Sequence, residues 1–497
     1  MPAPEVKLQR MDGPSRNVYL TGQEGEAARR SAFGEPINTQ NSPVIQLDFT
    51  HVVPPRTVSV GANGGTAVRS AAEGTMVVST GTAINGGAAF RSSRSLVYRA
   101  GQGNMGRFSA MFTTGVAQSQ QFAGMLSATD GFTFGYSNTE FGISYRRGGE
   151  VELRELQVTT FAAGVETATV TVNGTAYSVS LTGAGTLVGD ANEIADSLNL
   201  QDAFGRYQQV GDKVLYQATF VGPQTTFAYS SASSAATWAT VTTGVVATEI
   251  FIPQADWNTD TKPDLDPTKF NVYQIQYQFL GSGAIEFFIE DGETGQFNLV
   301  HRIKFANTSA VPSIKNPNLF LSIFVLSSGS TTNLSVETVS MAAFRQGEFL
   351  DSGQPHGTKN SLTSTSTEQS LFTVKVRDEV GGRLLLGEAD FRSLSVSTDS
   401  TKGAIFNVYV GATVDAVQDF SYLDKDSSLM LVDTTQATVT GGELIAELRV
   451  GSVGGQTVEF ASPRGFLLPN ETLTITAQVL SGAASECGAF LSWMEAL

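Results

Sequence analysis

The sequence predicts a mainly β protein, built of antiparallel sandwiches with one small α+β insert. Apolar and polar residues alternate at period 2 through most of the chain, the signature of half-buried strands. Glycine is dense, at 51 of 497 residues, and with Asn and Asp it breaks the alternation at the short intervals typical of antiparallel turns. Charged residues make up only 16%, against roughly 25% in an average globular protein, while hydrophobic residues reach 41%. That balance argues for packed sheets and against disorder.

Residues 1–50 are polar and dotted with proline, with no apolar face of their own, and are expected to form an assembly arm ordered by partners. Alternation begins at "PVIQLDFTHVV" and recurs in "RFSAMFTTGV", "FTFGY" and "FGISYRR", making 51–153 the first half of a β-sandwich. It returns at "ATEIFIPQADWN" and runs through "NVYQIQYQFL", "AIEFFIED" and "NLFLSIFVL", making 249–351 the second half. Between them, 154–248 reads as an inserted α+β module. "TATVTVNGTAYSVSLTG" is a hairpin about Asn173-Gly174. "DANEIADSLNL" is a helix with Asp190 as N-cap, Glu193 completing a capping box, and Ile194, Ala195, Leu198 and Leu200 on its apolar side. Residues 352–370 are Gly/Ser/Thr-rich and read as a linker. Residues 371–497 carry about eight short strands, as in a sandwich or jelly roll, ending on Phe490, Leu491, Trp493, Met494 and Leu497.

A net charge of −16 repels phosphate backbones, and no Lys/Arg run of binding size occurs, which excludes nucleic acid as a partner. No apolar stretch of about 18 residues is present to span a bilayer, and "MPAPEVKLQRMDGPSRNVYL" lacks the apolar core of a secretory signal. The single cysteine, Cys487, allows no intrachain disulfide. A β-rich surface-type composition without signal or disulfide suits a virion protein assembled in the host cytoplasm and released by lysis.

"SAFGEPINTQNSPVIQLDF" resembles the opening of certain tailed-phage virion proteins. "SLVYRAGQGNMGRFSAMFTTG", "GFTFGYSNTEFGISYRRGG" and "WNTDTKPDLDPTKFNVYQIQYQFLGSGAIEFFIEDGETGQFNLVHRIKF" resemble the two halves of their concanavalin-type lectin sandwich. "ATVTVNGTAYSVSLTG" and "SLSVSTDSTKGAIFNVYVG" resemble, respectively, a small tail-protein module and a terminal β domain. The resemblance implies a lectin-like β-sandwich and a non-enzymatic structural role, either as a tail-associated fibre or host-recognition protein or as a capsid head-fibre or decoration protein. It also implies contact with host surface glycans. The core-less arm is expected to contact other virion proteins, and the exposed sandwich edges, the absence of disulfides and the apolar C-terminal end point to a homo-oligomer, a trimer. The resemblance supplies no catalytic residues.

Four aspartates, Asp256, Asp260, Asp264 and Asp266, could give oxygens to a structural Ca²⁺. The EF-hand spacing is missing, Pro263 and Pro267 stiffen the loop, and Lys262 and Lys269 sit among the acids. The stretch therefore reads as the rim of a sheet with no metal or other cofactor. Glu286 and Glu290 share a strand face, as the carboxylates of a polysaccharide-degrading enzyme would, but so do any two residues of a polar outer face. His51, His301 and His356 have no Cys or His at ligand spacing. "GAGTLVGD" lacks the lysine of a phosphate loop, and Cys487 reads as a small buried apolar residue. Tyr136, Tyr145 and Trp257 are the candidates for stacking on a sugar ring, and Trp238 is a further aromatic of that kind.

Overall fold

The computed structural model describes residues 41–497 apart from 184, 203–204, 348–352, 378, 381–382, 385, 461–465, 481–483 and 497. The expectation of an assembly arm, over residues 1–40, and the apolar terminal Leu497 lie outside the described residues.

The first unit is a two-sheet antiparallel sandwich. Its nine-stranded sheet runs in the order Phe297–Ile303, Ile285–Glu290, Asn271–Tyr277, Asn104–Phe112, Ser335–Thr338, Thr75–Ser79 and Thr66–Ser70. Ser340–Gln346 also pairs with Asn104–Phe112 and carries Asn41–Asp48 beyond it. The facing seven-stranded sheet runs Thr248–Pro253, Glu140–Arg147, Gly131–Ser137, Ser119–Leu126, Phe320–Ser327, Gly87–Ser92 and Thr57–Ala62. Alternate residues of both sheets meet in an aromatic core. Phe134 lies 4.8 Å from Tyr273 by ring centroids, Phe132 lies 5.2 Å from Tyr277, and Phe108 stacks on Tyr273 at 5.7 Å. Each such pair adds about 0.5–1.5 kcal/mol beyond the area it buries. The last residues of the expected arm belong to this sandwich. Ile45, Leu47 and Phe49 alternate into its core, and the strand tolerates Pro43 because it lies at an edge and bulges between Pro43 and Ile45.

The second unit has its own core, formed by Leu156, Val158, Val170, Val179, Ile194, Leu198 and Tyr216 among others. Asn173 (φ 47°) and Gly174 (φ 81°) are both left-handed, as a two-residue hairpin turn requires, and join Glu166–Val172 to Thr175–Leu181. The helix Leu187–Gln201 begins earlier than expected. Its N-cap is Thr186, whose hydroxyl accepts from the Gly189 amide at 3.0 Å. Asp190 is instead buried in the first turn and accepts from the Ala162 amide at 2.6 Å, while Glu193 reaches to Thr182. Leu200, counted on the apolar side, is 89% exposed. A second sheet runs Gly205–Val210, Lys213–Val221, Val151–Thr160 and Ala235–Thr242.

The third unit packs a five-stranded sheet built on Gln354–Ser364, Ser485–Ala496 and Glu388–Thr398 against a six-stranded one that includes Gln369–Val376, Thr472–Val479 and Ala404–Val410. The expected linker is largely a strand: Gln354–Ser364 pairs along its whole length with Ser485–Ala496. Its polar composition hides this because only one face is buried, and Leu362 is the sole aliphatic side chain that face needs. Leu491 and Trp493 of the terminal strand are buried and Phe490 is exposed.

The insert and third unit share a small apolar cluster of Val210, Phe420 and Leu431, and the sandwich meets the third unit through buried polar bonds. Arg94 of the sandwich donates from Nε (2.7 Å) and Nη2 (2.8 Å) to the two oxygens of Glu388, and Ser95 Oγ donates to the Leu386 carbonyl at 2.7 Å. Glu388 is almost fully buried, so the fork geometry of arginine supplies the two charged hydrogen bonds it needs there. Asp390 sits beside this pair, and its burial, with the neighbouring Glu388 charge, pushes its carboxyl up to about 6 against the attraction of Arg94, Arg99 and Arg345.

Two predictions follow from this geometry. Arg147 and Thr248 face each other in register, so the two ends of the insert lie side by side. Replacing 149–247 by an Asn-Gly turn should leave the sandwich cooperatively folded in thermal unfolding; collapse of the sandwich would show that the insert is part of its core. The raised Asp390 carboxyl means that the folded chain binds a proton below about pH 6 that the unfolded chain binds only near the ordinary value of 3.8. Stability contributed at this site is therefore present at low pH and is lost as pH rises through that window. Asp390→Asn should stabilise by on the order of 2 kcal/mol at pH 8 and by little at pH 4 in denaturant titrations.

Candidate functional site

The aromatics expected to stack on sugars are spent on the sandwich core. Tyr136 packs on Phe141 and Phe112, and the Tyr145 hydroxyl donates to the Ser313 carbonyl. Trp257 lies edge-on to Phe134. All three are buried, and none offers a free ring face, so they are corrected from ligand contacts to core residues. Trp238, half-buried on the insert, packs on Phe227 and Tyr216.

The four aspartates do not converge. Asp256 lies in a short 3-10 turn. Asp260 accepts from the Lys262 amide at 2.8 Å, and Asp266 from the Thr268 amide at 3.0 Å and the Lys269 ammonium at 3.3 Å. The cation that organises this loop is Lys262. Its ammonium lies 2.7 Å from Asp291 and 3.3 Å from Asp264, and its backbone takes φ 46° to place it there. The Lys262 hydrogen bond holds the Asp291 carboxyl well below the usual carboxylate range, and the same bond raises Lys262. Among the described residues, no three His, Cys, Asp or Glu side chains are grouped to hold a metal.

Glu286 is not a solvated outer-face residue. It is 6% exposed, with one oxygen accepting from Arg302 Nε at 2.7 Å and the other from Gln276 Nε2 at 2.6 Å. A carboxylate saturated by a guanidinium and an amide is poorly placed to donate or take a proton. His301 is buried, which lowers its pKa, and its Nδ1 accepts from the Asn258 amide at 3.2 Å. His356 stacks on Trp493, and Cys487 is buried.

The structure assembles a different site, where all three units meet. A cleft of about 480 Å³ is walled by Val58, Arg91 and Phe320 of the sandwich, Asn199, Arg206 and Tyr207 of the insert, and Lys375, Leu468 and Asn470 of the third unit. Arg91 lies flat over the Phe320 ring at 4.1 Å, and Arg56 at the margin pairs with Glu471 at 3.5 Å. Asn199 is fixed by two bonds to the Tyr207 backbone, at 2.8 and 3.0 Å. The Gln208 amide donates to Asn470, locking the insert to the third unit behind the cleft. Burial and the neighbouring Asp202, to which it donates, drive the Tyr207 hydroxyl's pKa upward, so it stays protonated. Among the described residues that line the cleft, three are cationic and one, Glu471, is anionic, in a chain with 31 basic and 47 acidic residues. Its local sign is opposite to that of the protein. The strand stretches that supply the cations, "AAFRSS", "GRYQQV" and "FTVKVRD", are ordinary alternating segments far apart in the chain, so no local pattern announces the site.

No family model and no curated protein matches the chain. Among solved structures it is similar to the Emp47p carbohydrate recognition domain, at 7% identity and TM-score 0.28, covering 62% of this chain and 98% of that one. It is also similar to a legume lectin-like domain from Entamoeba histolytica (7%, TM-score 0.25, 60% and 95%) and to arcelin-5, a lectin-like defense protein from Phaseolus vulgaris (8%, TM-score 0.23, 61% and 99%). Scores this low carry no functional argument, and the two-sheet architecture stands on the strand order itself.

Because an internal ammonium bridges Asp264 and Asp291, Lys262→Ala should lower the melting temperature by a few degrees. EDTA should leave wild-type melting unchanged, and a Ca²⁺-dependent rise in wild-type melting would count against this account of the loop.

Proposed function

We propose that this chain is a non-enzymatic structural protein of a tailed-phage particle, a tail-associated fibre or host-recognition component that holds an acidic host-surface glycan in the three-unit cleft. The observation that carries this reading is the cleft itself. It is a place where an acidic protein gathers cations, polar amides and an apolar floor from three units. Carboxylate-bearing saccharides present the matching chemistry, with charges for Arg91, Arg206 and Lys375, hydroxyls for Asn199 and Asn470, and ring faces for Val58 and Leu468. The likeness of the sequence to phage virion proteins supports the setting, and the saturated Glu286 weighs against a hydrolase. Residues 1–40 are proposed as the link to other virion proteins.

The test is binding of the purified full chain to host-envelope polysaccharides with and without carboxylates, measured by calorimetry. Acidic chains should bind, neutral ones should not, and affinity should fall with added salt. Arg206→Ala should weaken binding about tenfold, the equivalent of roughly 1.4 kcal/mol. Affinity untouched by this change, or equal affinity for neutral polymers, would refute the cleft as the glycan site. Imaging of intact particles decides where the protein sits.

A further inference from the structure

One edge of the molecule is built unlike the others. After the insert's last strand, Ala235–Thr242, the chain runs on without leaving the surface into Thr248–Pro253, the outermost strand of the sandwich. On its inner side this ribbon is paired throughout: with Val151–Thr160, then by mutual backbone bonds of 2.9 Å between Val245 and Glu150, then with Glu140–Arg147. Its outer side is a sheet edge of both units at once.

Sheet edges expose unpaired backbone groups, and proteins blunt them with charge, proline or a covering element. Thr57–Ala62, at the opposite end of the same sandwich sheet, is also uncharged but is confined to one unit and six residues; the other long edges are blunted in that way. Thr66–Ser70 carries Arg69, Phe297–Ile303 carries Arg302, Gln354–Ser364 carries Lys359, and Glu443–Val450 carries Glu447. The edge strand Thr175–Leu181 is capped by the helix, Gln201 donating to the Ser178 carbonyl at 2.9 Å. The 235–253 ribbon has one charge, Glu249, which pairs within the chain with Arg146 at 3.3 Å and accepts from Ser144 Oγ at 2.8 Å. From Val214 to Thr248 no charged residue occurs at all. The ribbon exposes Val241, Val245, Val246 and Ile250, all β-branched and suited to strand pairing.

We propose that this ribbon is where two copies of the chain pair edge to edge, antiparallel, about a two-fold axis. Charge selects the occupant. Two copies that each carry −16 repel over most of their surfaces, and a neutral edge is where they can approach. Size agrees as well. The open stretch, 239–253, is about 50 Å long at 3.3 Å per residue, and at a sheet depth of about 10 Å it buries roughly 1,000 Å² in total, the lower bound for a specific interface. The dimer is therefore concentration-dependent when free and is favoured inside a particle. Self-pairing of one edge is isologous, which makes this contact two-fold.

Sedimentation velocity of the full chain across micromolar concentrations tests this. Wild type should shift reversibly to twice the single-chain mass, and Val241→Lys with Val246→Lys should remain single-chain at the same concentrations with an unchanged melting temperature. A wild type that stays single-chain throughout, or a folded double variant that still dimerises, would overturn the proposal. Should the lysine variant unfold, single cysteines placed in turn from 239 to 246 decide without added charge, because Cys487 is buried. Mild oxidation should link dimers at one or two neighbouring positions, and linkage at none of them would be equally fatal.

Discussion

The pairing of Asn104–Phe112 with Asn271–Tyr277 is the contact on which the rest of the molecule depends. It joins strands separated by the whole insert, and it sets Phe108 against Tyr273 and Gly106 against Ile275. Closing so long a loop costs conformational entropy before any contact repays it, and the aromatic core packed around Tyr273 is the repayment. Once that pair is made, Ser335–Thr338 and Ser340–Gln346 have a template on the other side of Asn104–Phe112. The ends of the insert are also brought together, which is why the insert can fold around a core of its own without distorting the sandwich.

The three units are held to one another by buried polar bonds and, between the insert and the third unit, by a small shared apolar cluster of Val210, Phe420 and Leu431. Glu388 takes both forks of Arg94, Gln208 reaches Asn470, and the Gly211 amide donates to the Phe420 carbonyl at 2.8 Å. Bonds of this kind specify orientation, because a buried carboxylate deprived of its guanidinium is far costlier than the pair is favourable. The charge is not fully balanced at the sandwich seam. Arg345 is pushed down to about 10 by burial, and Asp390 is pushed up to about 6. The cleft is the other product of this arrangement, since its lining comes from all three units.

Lys262 shows how the same chemistry is used locally. An acidic loop that could have been built around a divalent ion is built around an ammonium, with Asp264 and Asp291 as its partners and the Gln254 amide donating to the Lys262 carbonyl at 2.8 Å.

The sequence by itself determined what local physics can encode. Alternation marked the strands of the sandwich, because each buries one face, and Asn173-Gly174 marked its hairpin, because both residues tolerate a left-handed backbone. It placed a helix where Ile194, Ala195 and Leu198 recur, although the N-cap fell to Thr186 once Asp190 was drawn inward to the Ala162 amide. Tertiary structure alone decided the rest. Gln354–Ser364 is a strand because Ser485–Ala496 offers it a ladder, not because its own polar residues ask for one. Tyr136, Tyr145 and Trp257 became core because the second sheet closed over them, and Glu286 was neutralised by an arginine on the neighbouring strand. The cleft was illegible for the same reason. Arg91, Arg206 and Lys375 belong to three units, and only the packing of those units turns three unremarkable strand residues into one site.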